Sequence, residues 1–206
     1  MKRYKKLAVF GGTFSPVHNG HLQALTAYVQ TVSPDVVFVI PTAVPPHKAR
    51  TDTATDMQRL EMLRMAVATL DLPCEVVVSD MEIRRAGKSY TMLTVDALSE
   101  LAEEIVIFCG TDMLFTLDTW YEAPRLLKTV SIAYMQREEG PCLASALLEK
   151  EKELAEKYGT QFFRLPAVAK EISSTQVREN VHLGKEFATL VPKCVAQYIL
   201  EEGLYL

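Results

Sequence analysis

Two histidines near the start of the chain have a spacing that suits the binding of phosphate. They are His18 and His21, with Gly20 between them, and they follow the apolar run Leu7–Phe10. Three residues along a helix leave two side chains about 60° apart, so both imidazoles can point the same way. Imidazoles at a helix N-terminus, among free N–H groups, can donate hydrogen bonds to a phosphate whose charge grows during a reaction. The pair therefore predicts a phosphate site; a competing zinc site would need a third ligand from His47 or a distant acid.

The turn that precedes these histidines is rich in glycine but is not one of the common nucleotide-binding loops. A Walker loop needs Gly-x4-Gly-Lys-Ser/Thr and a dinucleotide redox fold needs Gly-x-Gly-x-x-Gly, and neither pattern is present here. Gly11 and Gly12 instead allow the backbone to approach a ligand closely. Two of the chain's four histidines fall in this one turn, which favours a functional role over a structural one.

A second cluster of phosphate-binding side chains stands near the end of the chain. Ser173 and Gln176 have the spacing of a capping box, so a helix is predicted to begin here. A cap needs one hydroxyl, whereas Ser173, Ser174 and Thr175 stand in a row, with Arg178 about one turn further on. Hydroxyls, helix N–H groups and a guanidinium together predict a polyphosphate cradle.

Two further loops carry polar residues directly after predicted strands. His47, Lys48 and Arg50 follow two prolines after the second strand, as either a solvated basic loop or part of the site. Gly110 and Asp112 follow the fourth strand. Asp112 could cap the short helix that follows or accept hydrogen bonds from a ribose, and the spacing leaves both readings open.

The composition is that of an ordinary soluble protein, with 206 residues, 49% of them hydrophobic and 23% charged. The net charge of −4 argues against a protein that coats nucleic acid. Four widely spaced cysteines indicate thiols of a reducing compartment rather than disulfides or zinc ligands. No apolar stretch approaches the ~20 residues of a membrane span, and no export signal precedes the first glycines. We therefore expect a cytoplasmic protein with no membrane or nucleic-acid partner.

Short apolar runs that read as buried strands alternate with helical patterns along the chain. The predicted strands are Leu7–Phe10, Val36–Ile40, Glu75–Val78, Ile105–Cys109, Val130–Tyr134 and Gln161–Leu165. The predicted helices are Gly20–Val32, Ala54–Leu70, Tyr90–Leu101, Cys142–Tyr158, Ser173–Asn180 and Pro192–Gly203. This order predicts an α/β fold, a doubly wound, mainly parallel sheet with helices on both faces, as one domain over 1–206. A small helical segment, about 172–206, closes it, and ligands of such sheets bind at the carboxyl ends of the strands.

Several motifs together resemble those of the nucleotidyltransferase superfamily with a His-x-Gly-His motif. Gly-Gly-Thr-Phe-x-Pro-x-His-x-Gly-His at 11–21 and Ile-Ser-Ser-Thr-x-x-Arg at 172–178 carry the likeness to the superfamily. Within it the chain resembles the bacterial nicotinate-nucleotide adenylyltransferases, through Pro-Pro-His-Lys at 45–48, Gly-Lys-Ser-Tyr-Thr at 87–91, Gly-Thr-Asp at 110–112, Trp120, and Val-x-x-Tyr-Ile at 195–199.

The resemblance implies a Rossmann-like fold and an adenylyl transfer of NAD biosynthesis. The phosphate of nicotinate mononucleotide would attack the α-phosphorus of ATP directly, giving nicotinate adenine dinucleotide and pyrophosphate without a covalent intermediate. Mg²⁺ would arrive with ATP and stay largely hydrated, so no protein metal site is expected. A homo-oligomer is possible. The alternatives are a sister enzyme with another acceptor, such as nicotinamide mononucleotide or phosphopantetheine, and an ATP-binding module without turnover.

The resemblance also implies a role for each matching residue. The catalytic residues would be His18, His21, Lys48 and Arg178. ATP would contact Gly11, Gly12, Thr13, Phe14, His18, His21, Gly110, Asp112, Ile172, Ser173, Ser174, Thr175 and Arg178. Nicotinate mononucleotide would contact Thr13, Ser15, His47, Lys48, Ser89, Tyr90, Thr91 and Trp120. By themselves, Tyr90 and Thr91 would indicate only a helix start, and Trp120 only core packing.

Two positions depart from the pattern of the superfamily. Ser15 stands where the family usually has Asp, although Ser can also hold a turn. Arg137 is followed by Glu138, Glu139 and Gly140, where Arg-Pro-Gly is common after the fifth strand.

Overall fold

The sheet has six parallel strands, and the first and fourth strands of the chain lie side by side at its centre. The computed structural model describes residues 3–45, 54–135, 141–166 and 172–206. The strands are β1 (Tyr4–Gly12), β2 (Val36–Pro41), β3 (Glu75–Val78), β4 (Ala102–Cys109), β5 (Ser131–Met135) and β6 (Phe162–Leu165). Their order is β3-β2-β1-β4-β5-β6, and every neighbouring pair is parallel. The strand order reverses between β1 and β4, which is where such sheets open a crevice for ligands.

Nine helices of the described residues surround this sheet. They are α1 (Asn19–Val32), α2 (Asp56–Val67), α3 (Met81–Arg85), α4 (Thr91–Leu98), α5 (Thr111–Leu114), α6 (Ala123–Thr129), α7 (Pro141–Tyr158), α8 (Ser174–His182) and α9 (Lys193–Glu201), with a 3₁₀ turn at Leu117–Thr119. In the described ranges, no helix combines the length and the apolar character that a membrane span requires.

The strands are apolar throughout because helices cover the sheet on both faces. Along β1, Ala8 and Phe10 belong to a buried cluster with residues of α1, α2, α8 and α9 on one face, among them Leu25 and Ile199. The alternate residues, such as Leu7, pack into a second cluster with α4, α6 and α7. The helical segment near the chain's end therefore belongs to the same side as α1, so it can reach the loop that follows β1.

The doubly wound fold predicted from the sequence is confirmed, and the sheet is parallel throughout the described strands. The predicted strands match within one residue at most ends, but β1 and β4 each begin three residues earlier than expected. Their charged first residues hide the strand pattern, although the pairs Tyr4–Ala102 and Lys6–Glu104 extend the ladder. The short helix expected after the fourth strand is α5, but the prediction missed α3 and α6, because five to seven residues are too few to show a helical period.

Candidate active site

The two histidines form a reciprocal hydrogen-bonded cap at the start of α1. His18 precedes the helix, in keeping with the predicted range Gly20–Val32, and is the N-cap of α1 in extended conformation, with φ −140° and ψ 169°. The helical spacing of about 60° that was used for the pair therefore does not apply to it. The His21 N–H donates to His18 Nδ1 at 3.3 Å, and the His18 N–H donates to His21 Nδ1 at 3.2 Å. The rings stack with centroids 3.6 Å apart. The imidazoles therefore face the same way because of the cap, not because of helical spacing.

This geometry fixes the protonation of both rings. Each Nδ1 accepts a backbone hydrogen bond, so the proton of each neutral ring lies on Nε2. Burial lowers the pKa of His18 to about 4. Burial, and then the repulsion of His18, hold the pKa of His21 well below its usual value. At neutral pH the pair therefore presents two uncharged Nε2–H donors.

The ring of Phe14 packs against this pair, and two glycines leave space for the rings. The Phe14 ring meets the edge of the His21 ring at 5.0 Å between centroids and stacks on Phe10 at 6.0 Å. A Cβ at Gly12 would lie 2.9 Å from Phe14 Cζ, and a Cβ at Gly20 would lie 3.1 Å from His18 Nδ1. Both glycines therefore leave room for rings of the site.

The motif near the end of the chain lies directly against the histidine turn, as expected. The Ser174 hydroxyl donates to the Pro16 carbonyl at 2.9 Å. Arg178 Nη1 donates to the Ser15 carbonyl at 2.7 Å, and its Nη2 donates to Thr175 Oγ1 at 3.2 Å. Direct hydrogen bonds therefore join the two motifs, which lie more than 150 residues apart in the sequence.

Ser173 caps α8 as the sequence predicted, but the described contacts include only this half of the predicted capping box, without a return bond from the Ser173 N–H to the Gln176 side chain. Its hydroxyl accepts the Gln176 N–H at 3.1 Å. One of the three hydroxyls thus caps the helix, one ties the helix to the histidine turn, and Thr175 contacts the arginine. Ile172 packs beside the histidine cap, since its Cβ would lie 3.5 Å from a Cβ at Gly20.

A cavity of ≈ 240 Å³ opens next to the glycine-rich turn, at the carboxyl ends of β1, β2 and β4. Seven predicted site residues line it: Gly11, Gly12, Thr13, Ser89, Tyr90, Thr91 and Trp120. Sequence reasoning missed several others, among them Thr42, Glu82, Thr94, Met113 and Tyr121. The Tyr121 ring stacks on that of Tyr90 with centroids 4.5 Å apart, so two aromatic rings border the cavity beside Trp120.

The start of α4 offers backbone donors to this cavity. Its N-cap, Tyr90, is extended, and among the described residues no side chain caps the helix. Ser89 holds the segment in place, because its N–H donates to the Val44 carbonyl at 2.9 Å and its hydroxyl accepts the Ala43 N–H at 3.0 Å. The uncapped N–H groups at Thr91 suit an anionic group.

Three of the remaining predicted residues have informative positions. Ser15 is 1% exposed and its hydroxyl lies 3.2 Å from the Tyr205 hydroxyl, so it braces the turn; a contact with an acceptor stays a prediction. Gly110 is the N-cap of α5, which has no side-chain cap in the described part of the chain, so the capping role considered for Asp112 is wrong. The Asp112 carboxylate instead packs over Gly110, where a Cβ would lie 2.8 Å from Oδ1.

Some of the sequence predictions fall outside the described residues. They are His47, Lys48, Arg50 and the segment Arg137-Glu138-Glu139-Gly140. Within the described ranges, no group of three His, Cys, Asp or Glu side chains is arranged to hold a metal ion.

Arg59 is a positioning residue that sequence reasoning missed. It is fully buried and donates to the carbonyls of Thr13 and Thr42, the latter at 2.7 Å, and to Asp56 Oδ1 at 2.9 Å. It therefore joins the loops that follow β1 and β2 under the cavity. One signal was present: Arg59 has helical spacing with the buried Leu63 and so lies on the apolar face of α2.

Comparison with known proteins agrees with this geometry. A model of the cytidylyltransferase-like family matches residues 9–180. A probable nicotinate-nucleotide adenylyltransferase of Desulfatibacillum aliphaticivorans is 33% identical over 218 residues, covering 98% of this chain and 100% of the relative. Another, of Caldicellulosiruptor saccharolyticus, is 33% identical over 201 residues and covers 97% and 98%. The solved Plasmodium falciparum nicotinic acid mononucleotide adenylyltransferase complexed with NaAD has a TM-score of 0.76 at 15% identity, covering 98% and 97%.

Proposed function

The chain belongs to the cytidylyltransferase-like family and, within it, to the nicotinate-nucleotide adenylyltransferases, and we propose that it transfers the adenylyl group of ATP to nicotinate mononucleotide. The products are nicotinate adenine dinucleotide and pyrophosphate. One observation carries this function. The imidazole pair and the motif of Ser174 and Arg178 meet beside a cavity that ends in uncapped helix N–H groups. The site thus joins a polyphosphate surface to a pocket for an aromatic anion.

The chemistry requires positioning and charge stabilisation more than a base. The phosphate of the acceptor is already an anion, so it can attack the α-phosphorus in line without losing a proton. The Nε2–H groups of His18 and His21 would donate to the oxygens on which negative charge develops. As neutral donors held by their own cap, they need no rearrangement when that charge appears.

The triphosphate of ATP would lie against the start of α8. Arg178 supplies a fixed positive charge, and the N-terminus of the helix supplies N–H groups with partial positive charge. Asp112 would accept hydrogen bonds from the ribose of ATP. Lys48 and His47 would neutralise charge where the two substrates meet.

The acceptor would place its pyridine ring in the cavity beside Trp120. The carboxylate would then reach the N–H group of Thr91 at the uncapped start of α4, whereas the amide group of nicotinamide, itself a donor, would meet it poorly. The Tyr90 N–H already donates to the Lys88 carbonyl at 3.0 Å, so Tyr90 would contact the acceptor through its ring rather than its N–H. The aromatic border formed by Tyr90 and Tyr121 would exclude water from the ring.

Mg²⁺ would enter on the triphosphate of ATP. The described residues around the phosphate surface are imidazoles, hydroxyls and a guanidinium, which suit phosphate oxygens, while Mg²⁺ prefers carboxylates, phosphates and water. The donor set therefore fits a metal held by ATP and water, and the ion would neutralise phosphate charge. A cytoplasmic location and a homo-oligomer belong to the same proposal, and size-exclusion chromatography would test the latter.

The deciding experiment measures pyrophosphate release from Mg-ATP with one acceptor in each reaction. We expect rapid release with nicotinate mononucleotide and little with nicotinamide mononucleotide or phosphopantetheine. A reaction without an acceptor gives the background. Pyrophosphate release with phosphopantetheine alone would overturn the assignment of nicotinate mononucleotide as the acceptor. ATP binding with no pyrophosphate release in the presence of any acceptor would indicate a non-catalytic module.

A further inference from the structure

A buried carboxylate lies in the wall of the acceptor cavity. Glu82, in α3, is 8% exposed and lines the same cavity as Tyr90 and Thr91. An acid is an unexpected neighbour for a pyridine carboxylate, because like charges repel strongly in a site with little water. The carboxylate of Glu82 therefore needs a compensating charge.

That charge reaches Glu82 through a threonine hydroxyl. The Thr94 hydroxyl, 1% exposed, donates to Glu82 Oε1 at 2.6 Å. Behind it, Arg85 Nη1 and Nη2 donate to the Thr94 oxygen at 3.4 Å and 3.3 Å, while its Nε is buried without a partner. Arg85 does not line the cavity, so its charge acts on the cavity through Thr94 and Glu82.

We propose that Arg85 is a positioning residue that sets acceptor specificity: acting through Thr94, it holds Glu82 on the cavity wall and compensates its charge. This inference rests on the proposed function and deepens it. With the charge compensated and Oε1 occupied by the Thr94 hydroxyl, the cavity tolerates a carboxylate on the pyridine ring. Without Arg85, the charge of Glu82 is uncompensated and repels that carboxylate, while a neutral carboxamide is not repelled. This difference shifts the preference from nicotinate toward nicotinamide mononucleotide.

The test is the ratio of kcat/KM for nicotinate mononucleotide to that for nicotinamide mononucleotide. We expect Arg85→Gln to lower this ratio about tenfold, the effect of one uncompensated charge in a partly desolvated site. In the double variant Glu82→Gln/Arg85→Gln, which removes both charges, the ratio should return to that of the wild type. A merely structural role would lower kcat/KM for both acceptors equally and leave the ratio unchanged.

The chain supplies a matched control and a second readout. Arg84→Gln removes the same charge one residue away, from a side chain that is 75% exposed and paired with Asp80 at 2.6 Å, and it should leave the ratio unchanged. Trp120 is the chain's one tryptophan and lines the cavity, so its fluorescence reports the Kd of each acceptor without turnover.

Three results would overturn the inference. They are an unchanged ratio in Arg85→Gln, a double variant that stays as altered as the single one, and an equal effect of Arg84→Gln. If Arg85→Gln does not fold, Glu82→Gln alone decides: the ratio should equal or exceed that of the wild type, and a lower ratio would contradict the proposal. Absence of activity of the wild-type protein on nicotinate mononucleotide would instead contradict the proposed function.

Discussion

At the scale of single residues, the proposed chemistry of the site depends on two imidazoles, one buried and one partly buried, whose pKa is lowered by desolvation and whose rings are oriented because they cap each other. The Nδ1 atoms of His18 and His21 are used within the turn, and only their Nε2–H groups remain for a ligand. A hydrogen bond from a neutral donor stabilises the transition state, where negative charge has grown, more than it stabilises the ground state. This difference is what accelerates the reaction.

Replacement of His21 should therefore affect the rate more than the fold. We expect His21→Ala to lower kcat by ~10²–10³-fold, as is typical of removing one transition-state donor. His21→Gln keeps an acceptor for the N-cap N–H, since glutamine completes capping boxes at this position, and should retain stability while staying slow. His182→Ala, at the exposed end of α8, is the control. Wild-type turnover in folded His21→Ala would remove His21 from the mechanism.

The lowered pKa of His18 also predicts how stability depends on pH. In the unfolded chain the imidazole takes up a proton near pH 6.5, whereas in the folded protein it does so only near pH 4. The unfolded state thus binds more protons between these values, so the free energy of unfolding should fall as the pH falls from 6.5 to 4, by at most about 3 kcal/mol for this residue. Urea unfolding at several pH values measures this change in the free energy of unfolding.

The matched variant is His18→Asn, because asparagine is a good N-cap and does not titrate. Its free energy of unfolding should fall less steeply below pH 6.5 than that of the wild type. Equal slopes in the two proteins would contradict the assigned protonation of His18.

At the scale of elements, the site is built from the N-terminal ends of three helices. The starts of α1, α4 and α8 lie at the carboxyl ends of the strands and direct N–H groups and partial positive charge toward anions. Side chains cap α1 and α8, whereas the described residues leave α4 without one. The two helices that we propose to hold phosphate are thereby fixed, and the one that faces the cavity keeps uncapped N–H donors at its start.

Gly20 gives a test of the coupling between α1 and its histidine cap. An alanine near a helix start would ordinarily stabilise it, by up to about 1 kcal/mol. Here its Cβ would press on the His18 ring at 3.1 Å, so we expect Gly20→Ala to lower kcat about tenfold without raising the Tm. Gln23→Ala, exposed on the same helix, is the control. A higher Tm with normal turnover would show that the ring moves freely.

Arg59 gives a test of the support beneath the site. Arg59→Met keeps the volume of the side chain but leaves two loop carbonyls without their buried donor, so we expect a loss of about 3 kcal/mol in the free energy of unfolding. Arg64→Met, half-exposed on the same helix, should change it by less than about 1 kcal/mol. Similar losses in the two variants, measured by urea unfolding, would contradict the bridging role.

At the scale of the whole molecule, the sheet brings distant parts of the chain to one edge. The strand order reverses between β1 and β4, and the end of the chain returns over the same face as α1. Contacts such as Arg178 to Ser15 and Tyr205 to Ser15 then close the site across more than 160 residues. The proposed phosphate site is therefore a product of the complete fold.

Hydrogen exchange would show whether the two motifs act as one surface. We expect Mg-ATP, without an acceptor, to slow amide exchange at the starts of α1 and α8 together, since one triphosphate would contact both. The helix α6, on the opposite face, should be unaffected. Protection of α1 alone would mean that the motif around Arg178 does not hold the triphosphate.

The sequence by itself determined the class of fold and the phosphate motifs. Buried strands and helices have distinct hydrophobic periods, so the order of elements can be predicted from the sequence. The His18 and His21 pair and the Ser173 cap can also be predicted, because their hydrogen bonds are made within a single turn of the chain. The sequence also shows that Arg59 interrupts the apolar face of α2, but it does not reveal which groups the guanidinium binds.

Only the tertiary structure decided the extended N-cap of His18, the loss of a capping role for Asp112, and the buried chain from Arg85 through Thr94 to Glu82. Each of these depends on which groups meet in space, and burial then sets their protonation and charge. A local pattern does not encode such meetings, because the same residue types at the same spacing serve equally well on a solvated surface.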